Sequence, residues 1–304
     1  MKERILVPLD GSALAEQALP HAVALGQGLS AGLELLRTVV ILPDAGDLLS
    51  EAGLEEAALI DRLDAEARAY LTKIAARLEA PGLKVQCTVE HGPAAETIVA
   101  HAERHAARLI VMATHGYTGI KRWSHGSVAE RVLQSAGVPV LMVRGQDGEV
   151  KVAASAAAIR RVLVTLDGSS TAEQVLPAIA PIAQALESEL VLFRVPIVYA
   201  SGTLMGEWYL PAQGTFEMAE QSVQAYLDTT AQRLRERGLQ VSTAMRIGPV
   251  ADSIIEYAAV NRIDLIAICT HGRTGLARWA LGSVADRVLR AGNVPILLVR
   301  ANKE

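Results

Sequence analysis

Along the chain, short aliphatic runs alternate with longer stretches in which apolar residues recur every three or four positions. Ile5–Leu9 predicts a strand, and from about Ser12 the residues Leu14, Ala18, Ala22 and Leu25 share one face, which predicts a helix. Leu33–Val40 predicts the next strand, Ser50–Leu78 carries a long helical pattern, and Leu83–Val89 predicts a third strand. A helix opening at Pro93 follows, where proline suits the first turn. Leu109–Ala113 reads as strand, Ser127–Ser135 as helix and Val138–Val143 as strand. The same order returns with strands near Val162–Leu166, Leu190–Val195, Gln240–Met245, Leu265–Cys269 and Pro295–Val299. Strands alternating with helices predict a parallel, doubly wound α/β sheet with right-handed crossovers. Ligands of such sheets bind beyond the carboxyl ends of the strands, where the strand order reverses. The loops after the first and fourth strands are therefore where function is to be sought.

The pattern returns because the sequence does. RILVPLDGSALAEQALP (4–20) recurs as RVLVTLDGSSTAEQVLP (161–177), and HGPAAETI (91–98) as IGPVADSI (247–254). Residues 112–144 and 268–300 align without a gap and share 19 of 33 residues, far above chance. Units of this size are duplicated domains rather than solenoid repeats. We expect domains at 1–146 and 159–304, joined by a small, polar linker at about 147–158.

Composition narrows the class. Hydrophobic residues make up 51% of the 304 residues and aromatic residues only 4%, so the cores must be aliphatic. A net charge of −4 argues against nucleic-acid or anionic-membrane binding driven by bulk charge. Cys87 and Cys269 are too few for a disulfide scaffold. The first ten residues lack a signal-peptide pattern, and no run approaches 18 apolar residues, although mean hydropathy is +0.26. These features point to a cytoplasmic protein without membrane or nucleic-acid partners.

After the fourth strand of each unit, two glycines frame a nine-residue spacer that ends in Gly-Ser. Gly116 precedes Gly126-Ser127, and Gly272 precedes Gly282-Ser283. Glycines let backbone N–H groups approach a ligand, and a helix that follows adds its positive dipole end, which together make a phosphate cradle. Ser127 and Ser283 are candidate N-caps for those helices. Loop glycines and a capped helix occur without a ligand too, but the spacing is kept in both units while Tyr117 and Lys121 become Arg273 and Ala277. Asp10 and Asp167 follow the first strand of their units in Asp-Gly-Ser. Such an Asp can cap the next helix, and in the crevice it can accept hydrogen bonds from a ribose hydroxyl or an adenine amino group. Arg122 and Arg278, each followed by Trp, either pair with phosphate oxygens or lie on a solvated surface. His115 and His271 read as loop-positioning residues, and His125 has no counterpart in the twin, where Leu281 stands. His101 and His105 share a helix face but lack the Glu of a zinc-protease signature, and are expected at the surface; no metal site is expected.

These motifs resemble the universal stress protein family, here in a tandem arrangement covering nearly the whole chain. ATP-binding members carry Gly-x2-Gly-x9-Gly-Ser/Thr after the fourth strand and an Asp after the first. The resemblance implies two five-stranded parallel sheets of order 3-2-1-4-5 with helices on both faces. It also implies ATP with Mg²⁺ as cofactor, and a nucleotide site lined by Pro8, Asp10, Thr38, Met112, Ala113, Gly116, Gly126, Ser127 and Val128 in the first unit. In the second unit the corresponding residues are Thr165, Asp167, Val195, Ile268, Cys269, Gly272, Gly282, Ser283 and Val284. Both units depart from the pattern at its first glycine, where Ala113 and Cys269 stand. If that position needs φ > 0, a Cβ costs about 1–2 kcal/mol; at negative φ, Ala is harmless and Cys narrows the site. The first unit is thus the stronger ATP candidate.

The reading that results is a stress-response regulator that binds ATP in one or both crevices and signals to a regulatory protein partner. The alternatives are a non-nucleotide interaction protein with degenerate crevices, and a slow ATPase. No Walker, dinucleotide-fold or α/β-hydrolase motif is present, and no base for water can be named. The loop 196–216 holds Tyr199, Trp208, Tyr209 and Phe216, either as a lid, as a subunit contact or as packing over the next helix. The terminal strands VPVLMVR (138–144) and VPILLVR (294–300) end their units and need covering at the sheet edge. The resemblance implies antiparallel pairing there, between units or between chains, giving a pseudo-dimer within the chain and a homodimer of chains.

Overall fold

The computed structural model describes residues 3–40, 56–78, 82–114, 128–145, 157–196, 213–270 and 281–301. The first repeat runs β1 (Arg4–Pro8), α1 (Ala13–Glu16), α2 (Leu19–Gly28), β2 (Gly32–Val39), α3 (Glu56–Arg77), β3 (Val85–His91), α4 (Ala94–Arg104), β4 (Leu109–Thr114), α5 (Val128–Ser135) and β5 (Val140–Arg144). The second runs β6 (Arg161–Thr165), α6 (Ser170–Glu173), α7 (Val175–Ala185), β7 (Glu189–Arg194), α8 (Gln213–Arg235), β8 (Val241–Met245), α9 (Val250–Val260), β9 (Leu265–Cys269), α10 (Ser283–Ala291) and β10 (Ile296–Val299). Every expected strand is present, most of them displaced by one or two residues at an end.

The single helix expected after the first strand is broken. Ser12 caps α1 by accepting the Ala15 N–H, and the chain re-enters helix at Leu19 with Pro20 in the first turn. Pro20 has no N–H to offer the Glu16 carbonyl, so an unbroken helix would lose a bond at that point. The second repeat makes the same break between α6 and α7. Pro93 stands as N-cap just before α4, and Pro249 does the same for α9.

Two compact units result. The first comprises the first repeat together with Pro295–Arg300, and the second holds Ile159–Ala277 and Gly282–Val294. In the first unit the strand order is β3-β2-β1-β4-β5, all parallel, the order expected for a doubly wound sheet. The second unit orders β8-β7-β6-β9 in the same way. β10 joins the first unit by antiparallel pairing with β5, with Ile296 opposite Met142, Leu297 opposite Leu141 and Leu298 opposite Val140. The expected antiparallel pairing of the two terminal strands is therefore made within one chain.

The cores are aliphatic. Ile5, Leu6, Val7, Leu35, Leu36, Ile110 and Val111 are all fully buried in the first unit, as are Val162–Val164, Leu190, Leu192, Ile266 and Ala267 in the second. Strands covered on both faces need such continuous apolar runs. His101 departs from its expected surface position: α4 turns it toward β2, and it is 1% exposed, whereas His105 one turn later is exposed.

Leu297 is 1% exposed in β10. Leu297→Ala is expected to destabilise the first unit by about 2–5 kcal/mol, the range for truncating a buried leucine, measured by chemical denaturation. Loss below 1 kcal/mol would show that β10 contributes little to that core.

Candidate functional site

The strand order reverses between β1 and β4 in the first unit and between β6 and β9 in the second. Leu6 pairs with Ile110 and Pro8 with Leu36, so Asp10, Thr38 and the end of β4 emerge at one level. Pro8 and Met112 are buried, while Thr38, Ala113 and Val128 are half-buried and Asp10 is exposed. In the second unit Val164 pairs with Ala267, which brings Thr165, Asp167, Ile268 and Cys269 to the matching end. Thr165, Val195, Ile268 and Cys269 are buried there and Asp167 is half-buried. Gly116, Gly126, Ser127 and Gly272 lie outside the described residues, as do Arg122, Arg278, their tryptophans, His115, His125, His271 and most of the loop 196–216.

Each Asp is built into its turn. Asp10 Oδ1 accepts the Ser12 N–H at 2.9 Å, and Asp167 Oδ1 accepts the Ser169 N–H at 2.8 Å and its hydroxyl at 2.6 Å. The turn needs glycine between: Gly11 has φ +86° and Gly168 φ +84°. A Cβ on either would come within 2.5 Å of a guanidinium, that of Arg37 or of Arg194. These arginines close a network absent from the expected site. Arg37 lies over the Tyr70 ring at 5.2 Å, the Tyr70 hydroxyl donates to Glu16 at 3.3 Å, and Arg77 donates to Glu16 at 2.9 Å. The second unit repeats it with Arg194 over Tyr226 at 4.9 Å, Tyr226 donating to Glu173 at 2.9 Å, and Arg233 donating to Glu173 at 3.1 Å. The network ties β2, α1 and α3 together behind the Asp-Gly turn, fixing where its carboxylate stands. Only the register of the two repeats signals it in sequence, since each of these residues recurs 156 or 157 positions later.

Burial, then the Glu16 carboxylate, pushes the Tyr70 phenol above its ordinary range, partly opposed by Arg37. Burial and Glu173 do the same to Tyr226, opposed by Thr230 and Arg194.

At the departure from the family pattern, Ala113 is an ordinary strand residue paired with Val143, and Cys269 closes β9. Neither has positive φ. The backbone therefore exacts no penalty for the missing glycine, and what remains is side-chain size. Cys269 is buried at 8% exposure, whereas Ala113 is half-buried.

The α10 end departs from expectation in one detail. Gly282, not Ser283, is the N-cap, and no side chain caps the helix; Ser283 is its exposed first residue. Gly282 donates its N–H to the Thr270 carbonyl at 3.0 Å, and a Cβ there would lie 2.7 Å from that oxygen. Glycine is thus required for the helix start to close against the end of β9. The first N–H groups of a helix lack intrahelical acceptors and carry its positive end. An oxyanion is suited to that place.

A doubly wound unit with an acidic turn at its switch point thus occurs twice in the chain. The chain belongs to the universal stress protein family: the family model matches residues 1–144 and again 158–300. Universal stress protein MJ0531 of Methanocaldococcus jannaschii is 35% identical over 142 residues, 47% of this chain and 82% of that protein. Universal stress protein Slr1230 of Synechocystis is 24% identical over 316 residues, covering 98% of this chain and all of that one. Among solved structures, a universal stress protein from Archaeoglobus fulgidus shares the fold with a TM-score of 0.68 at 19% identity, over 99% of this chain and 97% of that chain.

The raised phenols give a signed prediction. Their stabilising contribution is complete below the unfolded tyrosine pKa of about 10 and is lost as pH rises through the higher folded value. Tyr70→Phe with Tyr226→Phe is expected to flatten the loss of stability above about pH 10, read by denaturant titration at several pH values. An unchanged alkaline slope would contradict it.

Proposed function

We propose that the strand-end crevices bind ATP with Mg²⁺, the first unit more tightly than the second, and that occupancy biases conformation or assembly for a regulatory protein partner. The observation that carries this reading is the twin Asp-Gly-Ser turn, in which a carboxylate is held at the switch point by a network repeated in both units. In this reading Asp10 and Asp167 accept hydrogen bonds from adenine or ribose. Pro8, Thr38, Met112, Ala113 and Val128 line the first site, with Gly116, Gly126 and Ser127 around the phosphates. Thr165, Val195, Ile268, Cys269 and Val284 line the second, where Gly282 and Ser283 open α10 toward the phosphates and Gly272 precedes them. Cys269 narrows the second crevice relative to Ala113, which favours the first. Bound ATP stabilises whichever state of the chain holds it more tightly, and that differential is the regulatory signal.

Isothermal titration of the full chain with ATP and Mg²⁺ tests it. Asp10→Ala is expected to weaken the tighter site about tenfold or more, the equivalent of one lost hydrogen bond to a charged group. Asp167→Ala should affect only the weaker site. Absence of heat from the wild-type chain, or heat unaltered in both variants, would overturn the assignment.

A further inference from the structure

The first unit buries a charged cluster that its twin lacks. His101 on α4 is 1% exposed, and Glu34 on β2 is 4% exposed. His101 Nδ1 lies 2.7 Å from Glu90 Oε1, and its Nε2 lies 2.9 Å from Glu34 Oε1. The second contact lacks hydrogen-bond geometry, so the buried Nε2 has no hydrogen-bond partner. His105, one helical turn on, stacks its ring on that of His101 at 4.3 Å. One ligand atom each from Glu34, His101 and His105 lie within 4.8 Å of one another.

In the second unit the equivalent positions are Val191, Arg246, Tyr257 and Asn261, in place of Glu34, Glu90, His101 and His105. There Tyr257 packs against Phe193 at 4.9 Å. The fold therefore does not require the charges. Burying them carries a desolvation cost that an apolar replacement avoids.

We propose that Glu34, His101 and His105 form a binding site for a divalent transition-metal ion of the zinc class. Two imidazoles at i, i+4 on one helix face and a carboxylate opposite make a His₂Glu set, which leaves a further position for water. Imidazole with carboxylate suits Zn²⁺, Co²⁺ or Ni²⁺ rather than Mg²⁺ or Ca²⁺, which prefer oxygen alone. Glu90 acts as the positioning residue: by accepting from Nδ1–H it leaves Nε2 unprotonated and aimed at Glu34, the carboxylate–histidine–metal arrangement. Arg4 engages the other oxygen of Glu34, at 3.2 Å from Oε2, and leaves Oε1 for the ion. Thr88 Oγ1 also donates to Oε1, at 3.2 Å, and Arg104 donates to Glu90 at 2.8 Å. The exposed His105 gives the ion a route from solvent to the two buried ligands. The site lies on the α4 face of the sheet and is independent of nucleotide.

The test is titration of the full, chelator-treated chain with Co²⁺, followed by visible d–d absorption, and with Zn²⁺ by calorimetry. One ion per chain is expected, with tetrahedral-type Co²⁺ bands displaced by Zn²⁺. His105→Asn, which installs the twin's residue at an exposed position, should abolish the bands while leaving metal-free thermal stability unchanged. Glu90→Gln should weaken Zn²⁺ binding about 10–100-fold, the effect of losing an orienting carboxylate. No binding by the wild-type chain, or equal affinity in His105→Asn, would overturn the site and leave the cluster a buried ion-pair network.

Discussion

The structure turns on the burial of its central strands on both faces. Ile5, Leu6 and Val7, like Val162, Leu163 and Val164, are fully buried, so β1 and β6 carry polar side chains only at their ends. Polar chemistry is displaced to where those strands stop, and there the chain spends its glycines. Gly11 and Gly168 adopt a backbone that places a carboxylate at the switch point, with no Cβ to meet the arginine beside them. The location of the crevice thus follows from the aliphatic core rather than from the ligand.

Duplication makes the chain its own control. Where the units agree despite divergence elsewhere, the shared feature has a common cause: the Asp-Gly-Ser turn, the arginine over tyrosine, the glutamate between tyrosine and a second arginine. Where they disagree, the fold tolerates either solution. Glu34 and His101 against Val191 and Tyr257 is the clearest case, because one unit buries charge where the other has a buried valine and a half-buried ring.

Much of this was legible in the residues. Alternating patterns located every strand, and the repeat located both acidic turns. Side-chain size at Ala113 and Cys269 was legible too, but their backbone sign was not, since φ depends on whether the strand has ended. The placement of His101 was missed for a related reason: an i, i+4 pair of histidines has no intrinsic sidedness, and the rotation of α4 is set by its packing on β2. Ser283 matched a capping preference, yet the close approach of Gly282 to the Thr270 carbonyl decided the cap. Tertiary distance, in each case, supplied what local sequence did not carry.

The antiparallel seat of β10 on β5 has a consequence for how the protein is made. Roughly 150 residues separate the two strands, an extreme of non-local pairing. During synthesis the first unit must wait, with the edge of β5 bare, until the whole second repeat has left the ribosome. An uncovered aliphatic edge is the kind of surface that pairs with a neighbouring chain. The last strand of the chain thus closes the edge at which the first unit would otherwise be open to self-association.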